Sequence, residues 1–245
     1  MHSSKHTSKQ FDVELEAIRT SVLEMGGLVK SQISDAINSL VSGNVALMTR
    51  VIDDDHRVNA MEVRVDEECT KVIACRQPTA NDLRFVMTVI KTITDLERIG
   101  DEAEKIARMA RMLSLSQNLS IPRYNEIKRA SKIAMDMLCK SLDAFARLDV
   151  DLAAQVVRQD DQVDEKFHAI VRKLVMFMME NPHNISAALE MLFVAKAIER
   201  IGDHAQNMAE YVIYMVKGRD VRHITVDEIE HEIQRQHGNS SSLPP

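Results

Sequence analysis

The sequence reads Glu97-Arg98-Ile99-Gly100-Asp101 near its middle, and the same five residues return at Glu199-Arg200-Ile201-Gly202-Asp203. A second pair of segments matches upstream of these two, because Asp55–Asn59 aligns with Asp160–Asp164. The two offsets, 102 and 105 residues, differ only by a loop adjustment. Self-similarity at a fixed distance is the mark of a repeated structural unit. The chain is therefore predicted to contain two copies of one unit.

The residues around each copy recur with a helical period. One apolar stripe surrounds the first copy, at Phe85, Val89, Thr92, Leu96, Ile99, Ala103, Ile106 and Ala110. Steps of three and four residues predict an amphipathic helix, which Thr79 or Asn81 can cap. Similar stripes predict a first helix over about 15–40 and a second from about Val45 to Arg76. Each helix approaches 30 residues, or roughly 45 Å.

The second unit repeats this scheme, with helices ending near Leu148 and spanning Val150–Glu180 and Ile185–Lys217. The predicted fold class is all-α, with two homologous three-helix bundles in tandem and six long antiparallel helices. The predicted domains are 8–115 and 121–218. Residues 1–7 and 238–245 are expected to be disordered, and 226–236 could add a short helix. Periodicity leaves open whether the bundles share one core or sit as separate beads.

Composition limits the function classes. The 245 residues include only 7 Gly, 5 Pro and no Trp, which favours helix over sheet. A formal net charge of −6 argues against nucleic-acid binding, which needs a dense Lys/Arg surface. Three cysteines without a CxxC pair indicate reduced thiols and a cytoplasmic location. No signal peptide is apparent, and the longest apolar run, 174–179, is too short to span a bilayer, so we expect only peripheral membrane contact.

The repeated motif presents two carboxylates at helical spacing. On a wheel of 100° per residue, Glu97 and Asp101 lie on the side opposite the apolar stripe, so they are expected to face away from the core. Residues four apart lie one turn above each other, with Cβ atoms about 6 Å apart. Both carboxylates could therefore hold one hard cation or a small metal cluster. Glu199 and Asp203 repeat the same geometry.

A solvated charged face is the simpler interpretation of these acids, because Asp101 and Lys105 have the spacing of an ordinary i,i+4 ion pair. Duplication favours a site, since a generic charged surface gives no reason to keep a glycine in mid-helix. Gly100 and Gly202 each cost about 1 kcal/mol of helix propensity relative to Ala. The glycine indicates close approach, either of a neighbouring helix or of a bound group.

The second helix of each unit supplies further oxygen ligands. The first unit offers Asp55 with Asn59, and the second offers Asp160 with Asp164. If the second and third helices adjoin, these groups could complete a cation site, because Ca²⁺, Mg²⁺, Mn²⁺ or Fe ions take several oxygen ligands.

The sequence resembles the PhoU family over roughly residues 8–217. The resemblance is carried by Gln77-Pro78, Asn81–Arg84, Asp95–Asp101 and Ile198–Asn207. It implies a non-catalytic cytoplasmic regulator of phosphate uptake that silences phosphate-starvation genes. The implied partners are the ATPase subunit of the phosphate ABC transporter, the sensor histidine kinase of the phosphate regulon and a second copy in a homodimer. Through these partners the protein would associate peripherally with the inner face of the membrane.

The resemblance also implies metal at E/DxxxD motifs. These match Glu97 with Asp101, Glu199 with Asp203, and Asp160 with Asp164. Asp55 and Asp95 are further candidate ligands. The ion is divalent or trivalent, and Fe, Mn, Mg, Zn and Ni all remain open.

The two copies depart from each other at ligand positions. Asn59 stands where the second copy has Asp164, and Ala197 occupies the place of Asp95. The two sites therefore need not have equal affinity, and the first is expected to bind more weakly through its second helix. His204, which replaces Glu102, is not included as a ligand because a single surface His is usually a bystander.

Two other classes of protein remain as alternatives. A di-iron carboxylate enzyme needs paired Glu-x-x-His motifs, and the chain offers Glu165 with His168 and Glu228 with His231. Ala60 and Val63 stand at the equivalents of the first pair, so the required symmetry is missing. A structural array of three-helix repeats would have no need of identical acidic motifs in both units.

Overall fold

A computed structural model describes residues 9–115, 124–219 and 221. The first repeat comprises α1 (Lys9–Ser42), α2 (Val45–Asp54), α3 (His56–Arg76) and α4 (Ala80–Leu115). The second comprises α5 (Tyr124–Arg147), α6 (Val150–Glu180), a short 3-10 turn (Pro182–Asn184) and α7 (Ile185–Lys217). No strand occurs in these ranges. The predicted all-α fold of two three-helix bundles is confirmed.

The second helix of the first repeat differs from the prediction of one helix over 45–76. It is interrupted at Asp55, where α2 ends and α3 begins. The Asp55 backbone stays right-handed, with φ −58° and ψ −36°, so the two segments continue in one direction. His56 Nδ1 lies 2.5 Å from the Asp53 carbonyl oxygen, an acceptor near the end of α2. The equivalent of His56 is Asp161, and α6 runs through that position without interruption.

Matching caps begin the second helix of each repeat. The Asn44 side chain accepts a hydrogen bond from the Leu47 amide at 3.1 Å, and Asp149 accepts one from Leu152 at 2.9 Å. Such caps satisfy amides that the first turn of a helix leaves free. Gly43 and Leu148, one residue earlier, both have positive φ, at 68° and 57°. The turn is therefore repeated along with the helices.

Burial confirms the register of the repeat. The buried positions of α1 from Val22 to Leu40 coincide, 105 residues later, with the buried positions of α5. The shared positions are 22, 25, 26, 29, 32, 33, 36, 37, 39 and 40. In this register Gln32, which is 6% exposed, corresponds to Met137, which is 0% exposed.

The two bundles share a single hydrophobic core. α4 packs against α7 and α1 packs against α5, and the buried apolar side chains form one continuous cluster. At the α1–α5 contact a Cβ on Gly26 would come within 2.6 Å of the Leu142 side chain, so a larger residue there would require Leu142 to shift. Phe85 of α4 stacks on Phe145 of α5, with ring centroids 6.2 Å apart. The bundles are thus not separate beads.

Several expectations fall outside the described residues. These are the disordered ends 1–7 and 238–245, the short helix 226–236, and Glu228 with His231. The domain bounds 8–115 and 121–218 stay a prediction. Among the described helices none is long and apolar enough to cross a membrane.

Candidate metal centres

The second repeat brings four predicted acids together between α6 and α7. We call Asp160, Asp164, Glu199 and Asp203 the second centre. Carboxylate oxygens of Asp164, Glu199 and Asp203 all lie within 4.8 Å of one another, which is close enough to share one ion. Asp160 is one helical turn before Asp164, on the same face of α6.

Gly202 sets the distance between these two helices. A Cβ at this position would lie 3.3 Å from Val163 Cγ1 and 3.5 Å from Asp160 Oδ1. The bare glycine therefore lets the side chains of α6 rest directly on the backbone of α7. Gly100 plays the same part in the first repeat, where a Cβ would lie 3.3 Å from Val58 Cγ1 and 3.5 Å from Asp55 Oδ1. The close approach inferred from the motif is that of a neighbouring helix.

Negative charge accumulates in the second centre. Burial and the carboxylates of Asp203 and Asp164 raise the pKa of Asp160 to about 7. Burial and Glu199 also raise the pKa of Asp203. Lys196 offsets part of this charge, because its ammonium lies 2.5 Å from Glu199 Oε1. Two buried oxygens of this centre, Asp160 Oδ1 and Glu199 Oε2, have no hydrogen-bond partner among the described residues.

The first repeat gathers its acids at the equivalent place. We call Asp55, Glu97 and Asp101 the first centre. Burial raises the pKa of both Glu97 and Asp101, and the neighbouring Asp55 carboxylate raises both further. Asp55, 8% exposed, accepts hydrogen bonds from Gln32 Nε2 at 2.8 Å and Asn59 Nδ2 at 3.2 Å.

The outward orientation predicted for the motif acids is wrong for one of them. Glu199 is only 9% exposed and Glu97 is half-buried, whereas Asp101 is exposed. The helical wheel assumed that each motif helix packs against other helices through its apolar stripe alone. In the structure α7, which carries Glu199, contacts α4, α5 and α6, so Glu199 is buried between helices.

Asp95 is not brought to either centre. It lies two residues before Glu97, a step of about 200° around the helix. Its side chain, 3% exposed, accepts a hydrogen bond from His204 Nδ1 of α7 at 2.7 Å and lies 3.4 Å from Asn207 Nδ2. Asp95 and His204 therefore join the two bundles.

Two polar residues that the sequence analysis did not select lie at the first centre. Gln32 reaches Asp55 from α1, and its position inside the apolar stripe of that helix was a usable signal. Glu62 of α3 raises the pKa of Glu97 and accepts a hydrogen bond from Thr94 at 3.2 Å. Its counterpart in the second repeat is Phe167, so alignment of the repeats gave no indication of it.

The donor set suits a hard cation. The second centre offers only carboxylate oxygens, the ligands that Mg²⁺, Mn²⁺ and Ca²⁺ prefer. Its two unpartnered buried oxygens are polar groups that an ion would satisfy. By contrast, Glu165 and His168 are both exposed on α6, so the di-iron arrangement inside a bundle core does not occur there.

Metal-free protein is expected to lose stability as pH rises from about 4 to about 7.5. Asp160, with a pKa of about 7, holds in the folded state a proton that the unfolded chain releases near pH 3.9. If the whole pKa difference between the folded and unfolded states contributed, the free energy of unfolding would fall by about 4 kcal/mol over this pH range. Solvent screening of this partly exposed group reduces the expected loss to about 1–2 kcal/mol. Urea unfolding in a chelating buffer, repeated across this pH range, measures the effect.

Asp160→Asn should flatten this pH dependence, because the amide carries no proton to lose. Asp53→Asn, a substitution at an exposed acid of the first repeat, is the matched control and should retain the slope. A slope as steep in Asp160→Asn as in wild type, or stability that rises with pH, would contradict the expectation.

Comparison with known proteins places these features in a family. A family model described as the PhoU domain matches twice, over residues 22–110 and 127–212. The chain is 48% identical over 230 residues to the phosphate-specific transport system accessory protein PhoU of Serratia marcescens, covering 94% of each chain. It is 47% identical to the protein of the same name from Escherichia coli K12, covering 94% of this chain and 95% of that one.

Two solved structures share the fold. The crystal structure of PhoU from Pseudomonas aeruginosa has a TM-score of 0.82 and 44% identity, covering 85% of this chain and all of that one. The phosphate transport system regulatory protein PhoU from Streptococcus pneumoniae has a TM-score of 0.79 and 26% identity, covering 86% and 99%.

Proposed function

The chain belongs to the PhoU family, and from that premise we propose that it is a negative regulator of phosphate uptake and of the phosphate-starvation response. Its role in phosphate transport regulation follows from the relatives, which are named accessory proteins of the phosphate-specific transport system. The finer proposal is an adaptor without catalytic activity. It would join the ATPase subunit of the phosphate ABC transporter to the sensor histidine kinase, as a homodimer at the inner face of the membrane.

Metal at the two acidic centres is the second part of the proposal. Asp160, Asp164, Glu199 and Asp203 would hold an ion in the second repeat, and Asp55, Glu97 and Asp101 would hold one in the first. The ion would supply positive charge between two helices, which lowers the repulsion among their carboxylates. The observation that carries this proposal is the pair of buried unpartnered oxygens in the second centre.

The residues around the second centre would prepare it for an ion. Gly202 lets α6 and α7 approach closely, and the apolar side chain of Val163 packs against Gly202. Lys196 holds Glu199 in place through an ion pair with one of its oxygens. A hydrogen bond to a ligating carboxylate fixes its orientation, which is how outer partners tune metal sites. The remaining Glu199 oxygen is then available for an ion.

Deleting the gene should switch on phosphate-starvation genes in phosphate-rich medium. A reporter fused to a phosphate-starvation promoter measures this, and the wild-type gene on a plasmid should restore repression. Repression that is unchanged in the deletion strain would contradict the regulatory role and favour a structural scaffold.

The adaptor role is tested by binding. Purified protein should bind the transporter ATPase subunit and the cytoplasmic part of the sensor kinase, each with and without Mn²⁺. We expect both to bind, and binding that disappears after treatment with a chelator would connect the metal centres to docking. If neither partner binds under either condition, the adaptor proposal falls.

A further inference from the structure

We infer that Gln32 substitutes for a cation in the first repeat, so that the two centres load in order, the second before the first. This inference rests on the proposed metal role and concerns residues outside the duplicated motif. It is carried by a difference between two otherwise matching sites.

In the first centre, amide groups already satisfy the deepest carboxylate. Gln32 is 6% exposed and donates from Nε2 to Asp55 Oδ1 at 2.8 Å. Asn59 donates to the other oxygen, Asp55 Oδ2, at 3.2 Å. Each Asp55 oxygen thus has a donor without any ion, and a buried acceptor that has a partner avoids a large desolvation cost.

The second centre has no such donors at the equivalent positions. Met137 and Asp164 replace Gln32 and Asn59, and neither side chain can supply an amide hydrogen. Asp160 Oδ1 and Glu199 Oε2 are left buried without a hydrogen-bond partner among the described residues. Lys196 pairs with the other oxygen of Glu199, Oε1, at 2.5 Å, and leaves Oε2 without a partner.

The shape of the two centres agrees with this difference. Of the described residues, only Asp164, Glu199 and Asp203 place three ligand atoms within 4.8 Å of one another. The oxygen of Gln32 is also buried and unpartnered, but it is a neutral amide oxygen, whereas the two unpartnered oxygens of the second centre belong to carboxylates. It lies 3.2 Å from where a Cβ of Gly100 would be, so the Gln32 amide lies between Asp55 and the backbone of the motif.

The consequence is an ordered response to cation concentration. An ion entering the second centre meets oxygens that lack partners, whereas an ion using Asp55 in the first centre must displace an existing hydrogen bond from Gln32. The second centre fills at low concentration and stays filled. The first centre fills only at a higher cation concentration. Its occupancy is therefore the one that changes once the second centre is full.

Replacing Gln32 and Met137, each by the residue at the equivalent position of the other repeat, tests the inference. Glu199→Ala with Asp203→Ala leaves only the first centre, and in that protein Gln32→Met should tighten Mn²⁺ binding by about tenfold, because the ion no longer displaces the hydrogen bond to Asp55. Glu97→Ala with Asp101→Ala leaves only the second centre, and there Met137→Gln should weaken Mn²⁺ binding by a similar factor. Calorimetric titration of metal-free full-length protein with Mn²⁺ alone measures both affinities.

A matched control separates the amide's role from general damage. Gln159 Nε2 donates to Asp136 Oδ2 at 2.9 Å on an exposed surface, so Gln159→Met removes the same kind of bond outside both centres and should leave the first centre's affinity unchanged. Damage to the fold would lower affinity and cannot raise it. Unchanged or weaker Mn²⁺ binding in Gln32→Met overturns the inference alone, while wild-type protein that binds no Mn²⁺ overturns the metal proposal and this inference with it.

Discussion

Replacing Glu199 and Asp203 together with alanine is expected to lower the affinity of the tighter site for Mn²⁺ by about a hundredfold, or roughly 3 kcal/mol. The second centre would lose two of its four carboxylates, including Glu199 with its buried free oxygen. The two remaining acids lie on one helix, α6, so no ion could bridge α6 to α7. Titration of metal-free protein with Mn²⁺, followed by metal analysis after gel filtration, measures the loss.

The same variant should remain folded without metal. Its substitutions remove negative charges that raise the pKa of Asp160, so repulsion at pH 7.5 falls. We therefore expect the free energy of unfolding of the metal-free variant to equal or exceed that of wild type. A variant that unfolds would show that Glu199 has a structural role, mediated by its ion pair with Lys196.

Glu165→Ala with His168→Ala is the matched control. Both residues are exposed on α6, close in sequence to the second centre, and they form the Glu-x-x-His pair that a di-iron site would need. Mn²⁺ affinity should be unchanged in this variant. A loss there, with retention in the Glu199 and Asp203 variant, would reverse the assignment of the site.

Much of the fold could be predicted from the sequence because its signals are periodic and local. Apolar stripes at steps of three and four predicted the long helices, whereas the caps that Asn44 and Asp149 supply to two of them were found only in the structure. Duplication of the motif predicted the pairing of Glu97 with Asp101 and of Glu199 with Asp203. These inferences need no knowledge of which helices meet.

The remaining features depend on contacts between helices, which periodicity does not specify. A wheel with one apolar stripe could not show that α7 packs against α4, α5 and α6, so the predicted outward orientation was wrong for Glu199. The interruption at Asp55 lies beside His56, whose ring contacts the Asp53 carbonyl oxygen, whereas the equivalent residue Asp161 lies within the uninterrupted helix α6. Asp95 was grouped with Glu97 by proximity in sequence, although the wheel already separated them.

The first centre illustrates why alignment of the two repeats misses residues that lie near a candidate site. Gln32 and Glu62 both reach the first centre, yet Met137 and Phe167 stand at their equivalents. Alignment highlights what two copies share, so residues that make one copy different are passed over. A polar residue inside an apolar stripe, such as Gln32, is the sequence signal that remains.

The pseudo-symmetry also breaks where the two bundles join. Asp95 of α4 meets His204 of α7, whereas the equivalent residues are Ala197 and Glu102. Glu102, 4% exposed, instead pairs with Arg200 of α7 at 3.0 Å and with Lys105 at 3.2 Å. Two different polar pairs thus fix the register of α4 against α7.

His204→Ala is expected to cost about 3 kcal/mol of unfolding free energy, because it leaves Asp95 buried with only Asn207 nearby. Asp95→Ala should cost less, since the residue left behind is an imidazole and not a carboxylate. The double variant should cost less than the two single variants together, because the isolated carboxylate is then gone. Urea unfolding at constant pH with metal removed measures all three.

His168→Ala serves as the control for this cycle, because His168 is exposed on α6 and its loss should change stability by less than about 0.5 kcal/mol. The cycle of Asp95 and His204 variants also tests whether the two bundles share one core.

If the bundles unfolded independently, the α4–α7 contact would contribute little to the free energy of unfolding, and His204→Ala would shift the unfolding of one bundle alone. A single cooperative transition that moves as a whole, with strong coupling between Asp95 and His204, is the result expected of one core that both repeats build together.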